Sequence, residues 1–319
     1  MSEALSVLSQ ALCRKTGAAT PSLAVRRLLN SVLLAADEAH PPVRVRNLLD
    51  VLNVPFDYSD EGIHDAEAAV RVVNGQLRLQ IPESRIRRDR NSRRWRFSIA
   101  HEFIHILLIK SLGPKIIDVT NTDKETYDFV ERLCDEGASH LLIPRSYLKT
   151  ELRRGGLRRE TIEKVATECD VSLSAAIRSV NDLLPGGSIF FLSRFKRGKR
   201  GHEKLRVRWC TASNRDVAAR PWVAKGCSLK HLGTNDETVS NALATGATLK
   251  LDASFAGYSW KLDAVPILWP YLPNDRLDLG DGEKGGFQQE FPPDRDACAI
   301  VCSKAGFLDD SLLSRTTTA

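Results

Sequence analysis

The chain has 319 residues, of which 42% are hydrophobic and 27% charged, as in a globular protein with a sizeable core. No run approaches the roughly 20 apolar residues that span a bilayer, and the first residues lack the pattern of a secretion signal. Seven scattered cysteines without a Cys-x-x-Cys pair favour a reduced, cytoplasmic protein over a disulfide framework. A net charge of +6 permits a nucleic-acid or acidic partner without demonstrating one.

A β-hairpin is predicted after an N-terminal helical region. Residues 1 to about 55 carry apolar residues at helical spacing. They are followed by AVRVVNGQLRLQI, in which Asn74 and Gly75 separate two short apolar runs, the strongest local hairpin signal. In the second arm Leu77 and Leu79 alternate with polar residues, as expected of a half-buried strand.

A long helix is predicted over RRWRFSIAHEFIHILLIKSLG, residues 93–113, and contains the sequence His-Glu-x-x-His. Residues four apart share one face of a helix, with Cβ atoms about 6 Å apart, so His101 and His105 can hold one cation. Their neighbours are apolar, and two unpaired imidazoles in a buried helix would be costly without a metal. Glu102 is placed to take a proton from a bound water. Zinc suits two imidazoles, a carboxylate and a water.

A third ligand is expected on the next helix, predicted from about residue 123 to Pro144. Glu131 and Asp135 lie four apart and therefore on one face. Such a pair after His-Glu-x-x-His is similar to the arrangement of thermolysin-like zinc peptidases. That similarity implies Glu131 as the ligand and Asp135 as the hydrogen-bond acceptor for a ligating imidazole. Other candidates on this helix are Glu125, Glu136 and His140, the last favoured as a helix-end histidine with a structural role.

The sequences RFSIAHEFIHILL and ERLCDEGASHLLIP together resemble the ImmA/IrrE family of bacterial zinc metallopeptidases, over about residues 40–184. The resemblance implies that His101, His105 and Glu131 bind zinc. It implies that Glu102 is the catalytic base. It also implies a biological role, the cleavage of helix-turn-helix repressors that switches on stress or mobile-element genes.

Two positions depart from the pattern of many family members. Ile104 stands where many have glycine, and Gly137 stands where many have phenylalanine. Both are expected to be packing positions, so the departures bear on substrate fit rather than on zinc binding.

Two segments are candidates for substrate contact. Zinc peptidases commonly bind substrate as a strand added along a sheet edge. The second hairpin arm, with Leu77 and Leu79, is the candidate edge, unless the hairpin is purely structural. The arginine-rich loop before the His-Glu-x-x-His helix, with Arg87 and Arg88, is a candidate dock for an acidic or DNA-bound substrate, unless it is an ordinary solvated loop.

The predicted fold class is α+β, with three domains. A zincin-like metallopeptidase domain is predicted over residues 1–144 and a helix-turn-helix-like helical domain over residues 145–185. A strand-rich domain is predicted over residues 186–319, which longer family members suggest to be a sensor of the GAF type. The second helix of the helix-turn-helix-like pair offers few side chains that read bases, so packing is favoured as its role.

Two functions from different classes follow from these patterns. The first is a cytoplasmic zinc endopeptidase whose substrate is a helix-turn-helix repressor. The alternative is a DNA-binding transcriptional regulator with a structural or degenerate metal site, contacting DNA through its basic loops. The intact ligand set and Glu102 favour the enzyme, whereas the clustered arginines and the helix-turn-helix-like segment favour the regulator.

Overall fold

A computed structural model of the chain describes residues 2–59, 68–83, 92–113, 124–184, 188–196, 203–212, 234–245, 247–255, 258–269 and 297–304. The described residues form two compact units, one within Met1–Tyr147 and Thr167–Val171, the other within Leu148–Ala166 and Ser172–Ala319. The architecture is mixed α+β, as the sequence predicts. The division into three domains stays a prediction.

Helices form most of the first unit. They are α1 (Glu3–Thr16), α2 (Pro21–Ala35), α3 (Val45–Val51), α4 (Ser92–Leu112) and α5 (Lys124–Leu142). Ser2 caps the start of α1, which ends at Gly17 in the left-handed conformation with a φ of 64°. Helix α5 packs against α4, α2 and α1. The two long helices α4 and α5 therefore form the centre of this unit, and α4 has the predicted extent.

The sheet of the first unit has three strands, β1 (Phe56–Tyr58), β2 (Ala69–Val73) and β3 (Gln76–Ile81). Strands β2 and β3 form the predicted hairpin, with Asn74 at a φ of 51° and Gly75 at 77°. Two positive φ angles in a two-residue turn are typical of the type I′ hairpin. Strand β1 pairs in parallel with the other side of β3, so the strand order is β1-β3-β2. The sequence did not predict β1.

The start of α4 is held by ion pairs within the first unit. Arg93 Nε lies 3.5 Å from Asp170 Oδ1, and Arg96 Nε lies 3.4 Å from Asp170 Oδ2. Arg96 also donates to the backbone oxygen of Val43 at 3.2 Å. Cations at a helix N-terminus oppose the helix dipole, so a nearby carboxylate that compensates them is a physical reason for their presence. These two arginines therefore have a structural partner.

The described part of the second unit contains helices and an antiparallel sheet. The helices are α6 (Arg145–Gly155), α7 (Arg159–Glu168), α8 (Leu173–Asn181) and α9 (Asp236–Thr245), of which α6 and α7 extend into both units. The strands are β4 (Ser188–Lys196), β5 (Glu203–Ala212), β6 (Leu249–Phe255), β7 (Tyr258–Trp269) and β8 (Ala297–Lys304). Their order is β5-β4-β8-β7-β6, and all five lie in the region that the sequence predicts to be rich in strands.

Helices α7 and α8 are the segment in which the sequence suggests a helix-turn-helix. They are separated by the short segment 169–172, in which Asp170 has a φ of 51°. Val171, Ile177 and Val180 are buried, as packing positions should be. In the part of the chain that the structure describes, no helix is long and apolar enough to cross a membrane.

Candidate metal centre and active site

Two histidines of α4 and one glutamate of α5 bring their donor atoms together. His101 Nε2 lies 3.1 Å from His105 Nε2. Glu131 Oε2 lies 3.3 Å from His101 Nε2, and Glu131 Oε1 lies 3.3 Å from His105 Nε2. The three side chains are 14%, 23% and 31% exposed, in the order His101, His105 and Glu131. The structure therefore unites the three residues for which the sequence predicts a role as metal ligands.

The separations of these donor atoms fit one face of a tetrahedral metal site. With bonds of about 2.0–2.2 Å to nitrogen and oxygen, neighbouring ligand atoms of a zinc tetrahedron lie roughly 3.3–3.5 Å apart. The observed separations of 3.1 and 3.3 Å need only a small adjustment. Two imidazoles and a carboxylate also leave a fourth position for a water. The residues present therefore fit a divalent metal ion.

Asp135 orients the first histidine. Its Oδ1 lies 2.9 Å from His101 Nδ1, the ring nitrogen on the side opposite the cluster of donor atoms. A hydrogen bond from Nδ1–H to a carboxylate fixes the imidazole tautomer in which Nε2 carries the free lone pair. Asp135 is thus where the resemblance to thermolysin-like peptidases implies it should be, one helical turn after Glu131.

Glu102 contacts the sheet beside the cluster. The backbone N–H of Val70, in β2, donates a hydrogen bond to Glu102 Oε2 at 3.2 Å. Burial raises the pKa of Glu102, although the neighbouring charges of His105 and His101 and the Val70 hydrogen bond act in the opposite direction. A carboxyl group with a raised pKa binds a proton more readily than an ordinary carboxylate does.

Hydrogen bonds within the cluster shift the pKa values of its histidine and glutamate side chains. Burial acts to lower the pKa of His101, but hydrogen bonds to Asp135 and Glu131 outweigh it and raise the pKa to about 10. Hydrogen bonds with His101 and then His105 lower the pKa of Glu131 to about 2, despite its partial burial. A proton on His101 therefore occupies the position that a metal would take, and the two compete.

Cys134 belongs to this neighbourhood and was missed by the sequence analysis. Its Sγ lies within 4.8 Å of ring nitrogens of both His101 and His105, and its side chain is fully buried. Burial, reinforced by the charges of Glu131 and other carboxylates, raises the pKa of the thiol well above its usual value. The sequence does contain a signal for this position of Cys134, because residues three apart, such as Glu131 and Cys134, share one face of a helix. The Glu131 oxygens lie 3.3 Å from both ring nitrogens, the spacing expected of neighbouring zinc ligands, so Glu131 remains the better candidate ligand.

The alternative ligands Glu136 and His140 are engaged elsewhere. Glu136 Oε2 accepts a hydrogen bond from Ser22 Oγ at 2.6 Å, and Glu136 Oε1 lies 3.5 Å from an Arg26 nitrogen. His140 Nε2 lies 3.5 Å from Glu136 Oε1. This second polar cluster joins α5 to α2. His140 is accordingly a histidine with a polar partner near the helix end, as the sequence analysis favours.

The prediction that the second hairpin arm forms the substrate edge is wrong for its part from Leu79 to Ile81, which is paired on both sides. Strand β3, which carries Leu77 and Leu79, is the central strand of the sheet and is paired on both sides. Leu79 is fully buried, and its backbone N–H donates to Pro55 O. A strand segment with two neighbours cannot receive a third, so Leu79 cannot line a free edge. Among the described strands Leu77 is paired with β2 alone, and its role as a substrate contact stays a prediction.

Among the strands that the structure describes, the free edge beside Glu102 belongs to β2. Val70 lies opposite Leu79, whose N–H bonds toward β1, so the Val70 N–H points outward, where it meets Glu102. Because strand residues alternate with a period of two, the N–H and C=O of Val72 point outward as well. Arg87 and Arg88, the other predicted substrate contacts, lie outside the described residues.

Comparison with known proteins identifies the domain that carries this cluster. Residues 76–181 match the IrrE N-terminal-like domain of the Peptidase_M78 family. The chain is 28% identical over 247 residues to "Radiation response metalloprotease IrrE" of Deinococcus deserti, covering 74% of this chain and 80% of that protein. A solved structure titled "Mycobacterium tuberculosis transcriptional regulator" aligns over 92% of both chains, but its 14% identity and TM-score of 0.41 support no assignment. Residues 76–181, which include every residue of the metal cluster, are thus similar to the IrrE N-terminal-like domain of a metallopeptidase family.

Proposed function

We propose that this protein is a zinc-dependent endopeptidase. The observation that carries the proposal is the convergence of His101 Nε2, His105 Nε2 and the Glu131 carboxylate within 3.1–3.3 Å of one another. Next to His101 in the sequence is a partly buried carboxyl group, Glu102, that is not needed as a ligand. The match to a metallopeptidase family supports the same class of reaction.

In this proposal the three clustered side chains are the zinc ligands. Asp135 accepts a hydrogen bond from His101 Nδ1 and so keeps Nε2 available. A bound zinc ion would supply a water of lowered pKa and would polarise the peptide carbonyl. Zinc is preferred over calcium and magnesium because the donor set contains two imidazole nitrogens, whereas those two ions favour oxygen ligands.

Glu102 is the proposed proton carrier. It accepts a proton from the attacking water and delivers it to the nitrogen of the leaving amine. Its raised pKa supports both halves of this task, because the carboxylate must bind the proton and then release it. The Val70 N–H holds one carboxylate oxygen, which leaves the other free to face the reacting groups.

The proposed binding mode for the substrate is an extended segment that pairs with the outer edge of β2. The outward-facing N–H and C=O of Val72 are the hydrogen-bonding groups that such a segment would use. This edge adjoins Glu102, so a strand paired there would run past the proton carrier. Backbone pairing accepts many sequences, and selectivity would then come from side-chain contacts around it.

The proposed biological substrate is a helix-turn-helix transcriptional repressor, whose cleavage would derepress stress or mobile-element genes. This part rests on the family resemblance and on the similarity to a radiation response metalloprotease. In the same proposal the first domain is zincin-like, the segment 145–185 is helix-turn-helix-like, and the strand-rich region from residue 186 is a sensor of the GAF type. The antiparallel sheet of β4–β8 is compatible with that last role.

The test is a cleavage assay with the full chain loaded with zinc. Its substrates are the helix-turn-helix repressor encoded beside its gene, if there is one, and a peptide library made by digesting a bacterial proteome, with new termini identified by mass spectrometry. We expect cleavage that is abolished by a chelator and restored by zinc. Glu102→Gln keeps the shape of the side chain but cannot take up a proton, so cleavage should fall by about 10² to 10⁴-fold with zinc content unchanged. No cleavage by the zinc-loaded protein, or equal cleavage by the variant, would refute the proposal.

A further inference from the structure

Tyr127 is an exposed aromatic residue at the site that no assigned role explains. It lies in α5 one helical turn before Glu131, and four residues correspond to a rise of about 6 Å along the same face. The residue is 49% exposed, although tyrosine is usually buried at least on its ring. Among the residues that the structure describes, none forms a hydrogen bond with its hydroxyl, unlike Tyr147, whose hydroxyl donates to Glu168.

The phenol lies within the electrostatic reach of two carboxylates on different helices. The charge of Glu131 raises the pKa of Tyr127 most, and burial and the charge of Glu102 raise it further. Glu131 lies one helical turn after Tyr127 on the same face of α5, so the phenol extends from the face of α5 that carries the candidate ligand. The hydroxyl is therefore a neutral hydrogen-bond donor beside the cluster, and it is accessible from solvent.

We propose that the Tyr127 hydroxyl donates a hydrogen bond to the carbonyl oxygen of the peptide bond being cleaved. This inference rests on the proposed peptidase function and adds a catalytic residue to it. The donor is suited to the task because its proton is retained at neutral pH and is not already engaged within the described residues. Glu102, the ligand cluster and Tyr127 would then surround the scissile bond with a proton acceptor, a metal site and a donor to the oxygen.

The proposed reaction begins with the attack of water on the scissile carbonyl group. The water oxygen forms a bond to the carbonyl carbon, the π electron pair of the carbonyl moves to its oxygen, and the water proton passes to Glu102. The negative charge on that oxygen strengthens the hydrogen bond from Tyr127, which keeps its own proton. The electron pair then re-forms the carbonyl as the carbon–nitrogen bond breaks, and the nitrogen receives the proton from Glu102.

A donor that acts on developing charge affects the chemical step more than substrate binding. Tyr127→Phe removes only the hydroxyl and leaves the exposed ring, so folding and zinc content should be unchanged. We expect kcat to fall by about 10²-fold, the usual effect of losing one such donor, while KM changes by less than about threefold. Tyr58→Phe is the matched control, because Tyr58 is 55% exposed and lies on β1, at the edge of the sheet opposite β2.

The assay uses the zinc-loaded full chain and a quenched fluorescent peptide built on a cleavage site found in the peptide library. A second readout is the affinity for a phosphonamidate in which a tetrahedral phosphorus replaces the scissile carbonyl of that peptide. We expect the phosphonamidate to lose affinity in Tyr127→Phe in proportion to the loss of kcat/KM.

The outcomes separate this inference from the proposed function. Unchanged kcat in Tyr127→Phe, with cleavage by the wild type intact, would overturn the role of Tyr127 and leave the peptidase proposal standing. A rise of KM at constant kcat would also overturn it, because the tyrosine would then only contact the substrate. If the zinc-loaded wild type cleaves no peptide, the proposed function fails and this inference fails with it.

Discussion

The side chain of Ile104 occupies the space in which residue 137 would carry a side chain. A Cβ atom placed on Gly137 would lie 2.9 Å from Ile104 Cγ1 and 3.0 Å from Ile104 Cδ1. Ile104 is fully buried in α4, next to His105, and Gly137 lies in α5. Many family members have the opposite arrangement, with a small residue at the first position and a large one at the second. The exchange keeps one large side chain between the two helices that carry the candidate ligands.

Gly137→Ala should therefore destabilise the protein. A new methyl group at less than about 3.0 Å from a buried isoleucine is overpacked, which typically costs about 1–3 kcal/mol. The loss of a helical glycine acts in the other direction by up to about 1 kcal/mol, so the net decrease in the free energy of unfolding should be near the lower end. Urea unfolding of the metal-free variant and wild type measures it.

A double-mutant cycle gives the matched control. Ile104→Ala alone removes a buried side chain and should cost about 2–5 kcal/mol. If the two residues compete for one space, the double variant should be more stable than the sum of the single effects predicts, by at least about 0.5 kcal/mol. Additive effects would show that Gly137 and Ile104 are not coupled.

The identity of the third ligand is tested by metal content. Glu131→Ala should lose most of the bound zinc, because two histidines remain and a tetrahedral site needs a third protein ligand. Cys134→Ser is the comparison, since Cys134 Sγ also lies within 4.8 Å of both histidines. We expect this variant to keep about one zinc per chain in elemental analysis. The reverse result, loss in Cys134→Ser and retention in Glu131→Ala, would replace the carboxylate by the thiolate as ligand.

The role of Asp135 predicts a graded effect rather than a loss of the site. Asp135→Asn removes the charge that holds the Nδ1–H of His101 at 2.9 Å, while the three ligands stay. Outer partners of ligating histidines typically account for about 10 to 100-fold in metal affinity. Competition with a chromophoric chelator should show a decrease of that size, with full occupancy restored at high zinc. An unchanged dissociation constant for zinc would show that Asp135 does not contribute to metal binding.

The pKa shifts of the cluster predict how the stability of the chelated protein depends on pH. His101 has a pKa raised from 6.5 to about 10, so its stabilising effect is complete below pH 6.5 and is lost as the pH rises through 10. Glu131 has a pKa lowered from 4.5 to about 2, so its effect is present above pH 4.5 and is lost as the pH falls through 2. Both contributions are complete between pH 4.5 and 6.5.

The melting temperature of the chelated protein should accordingly decrease between pH 6.5 and 10, and this decrease should be smaller in Glu131→Gln. Zinc binding at pH 7 should release about one proton, because it displaces the proton from His101. Calorimetry in buffers of different ionisation enthalpy measures that number. A melting temperature that is flat across this range, together with no proton release, would contradict the charged form of His101.

The parts of the site that local geometry determines were predictable. Residues four apart on one helix must share a face, so the spacing of His101 and His105 was sufficient to pair them. The roles of Glu131 and Cys134 depend on how α5 lies against α4, and helical spacing alone left several candidates on that helix. The family resemblance implies that Glu131 is the third ligand. The proximity of Cys134 to the two histidines is evident only from the packing of the two helices.

The sheet edge could not be predicted because it depends on a strand without a local signal. Strand β1 has three residues, shorter than the usual five or six, and pairs in parallel with β3 from the far side. Because β1 pairs with β3, β3 is the central strand of the sheet, and β2 is the edge strand beside Glu102. Helix α9 differs from β1, because its Asn235 cap and acidic first turn are local signals of a helix start.

The outer edge of β2 is the proposed binding edge for the substrate. Val72 has its N–H on the free edge, and its side chain is 56% exposed, so the position belongs to no buried core. Val72→Pro removes that N–H and no hydrogen bond of the β2–β3 ladder, which is the one place in a sheet where proline is tolerated. If the substrate pairs with this edge, the variant loses one backbone hydrogen bond to it, and kcat/KM should fall by about 3 to 15-fold, the weight of about 0.5–1.5 kcal/mol.

Val72→Ala is the matched control, because it shortens the same side chain but keeps the N–H. It should cleave the reference peptide within about twofold of the wild type, and both variants should keep the zinc content of the wild type. Circular dichroism and the melting temperature establish that the hairpin is intact in Val72→Pro. If alanine and proline reduce cleavage equally, the valine side chain and not the backbone contacts the substrate. If neither reduces it, the substrate does not pair with β2, because an added strand at this edge must use the N–H of Val72 in order to run past Glu102.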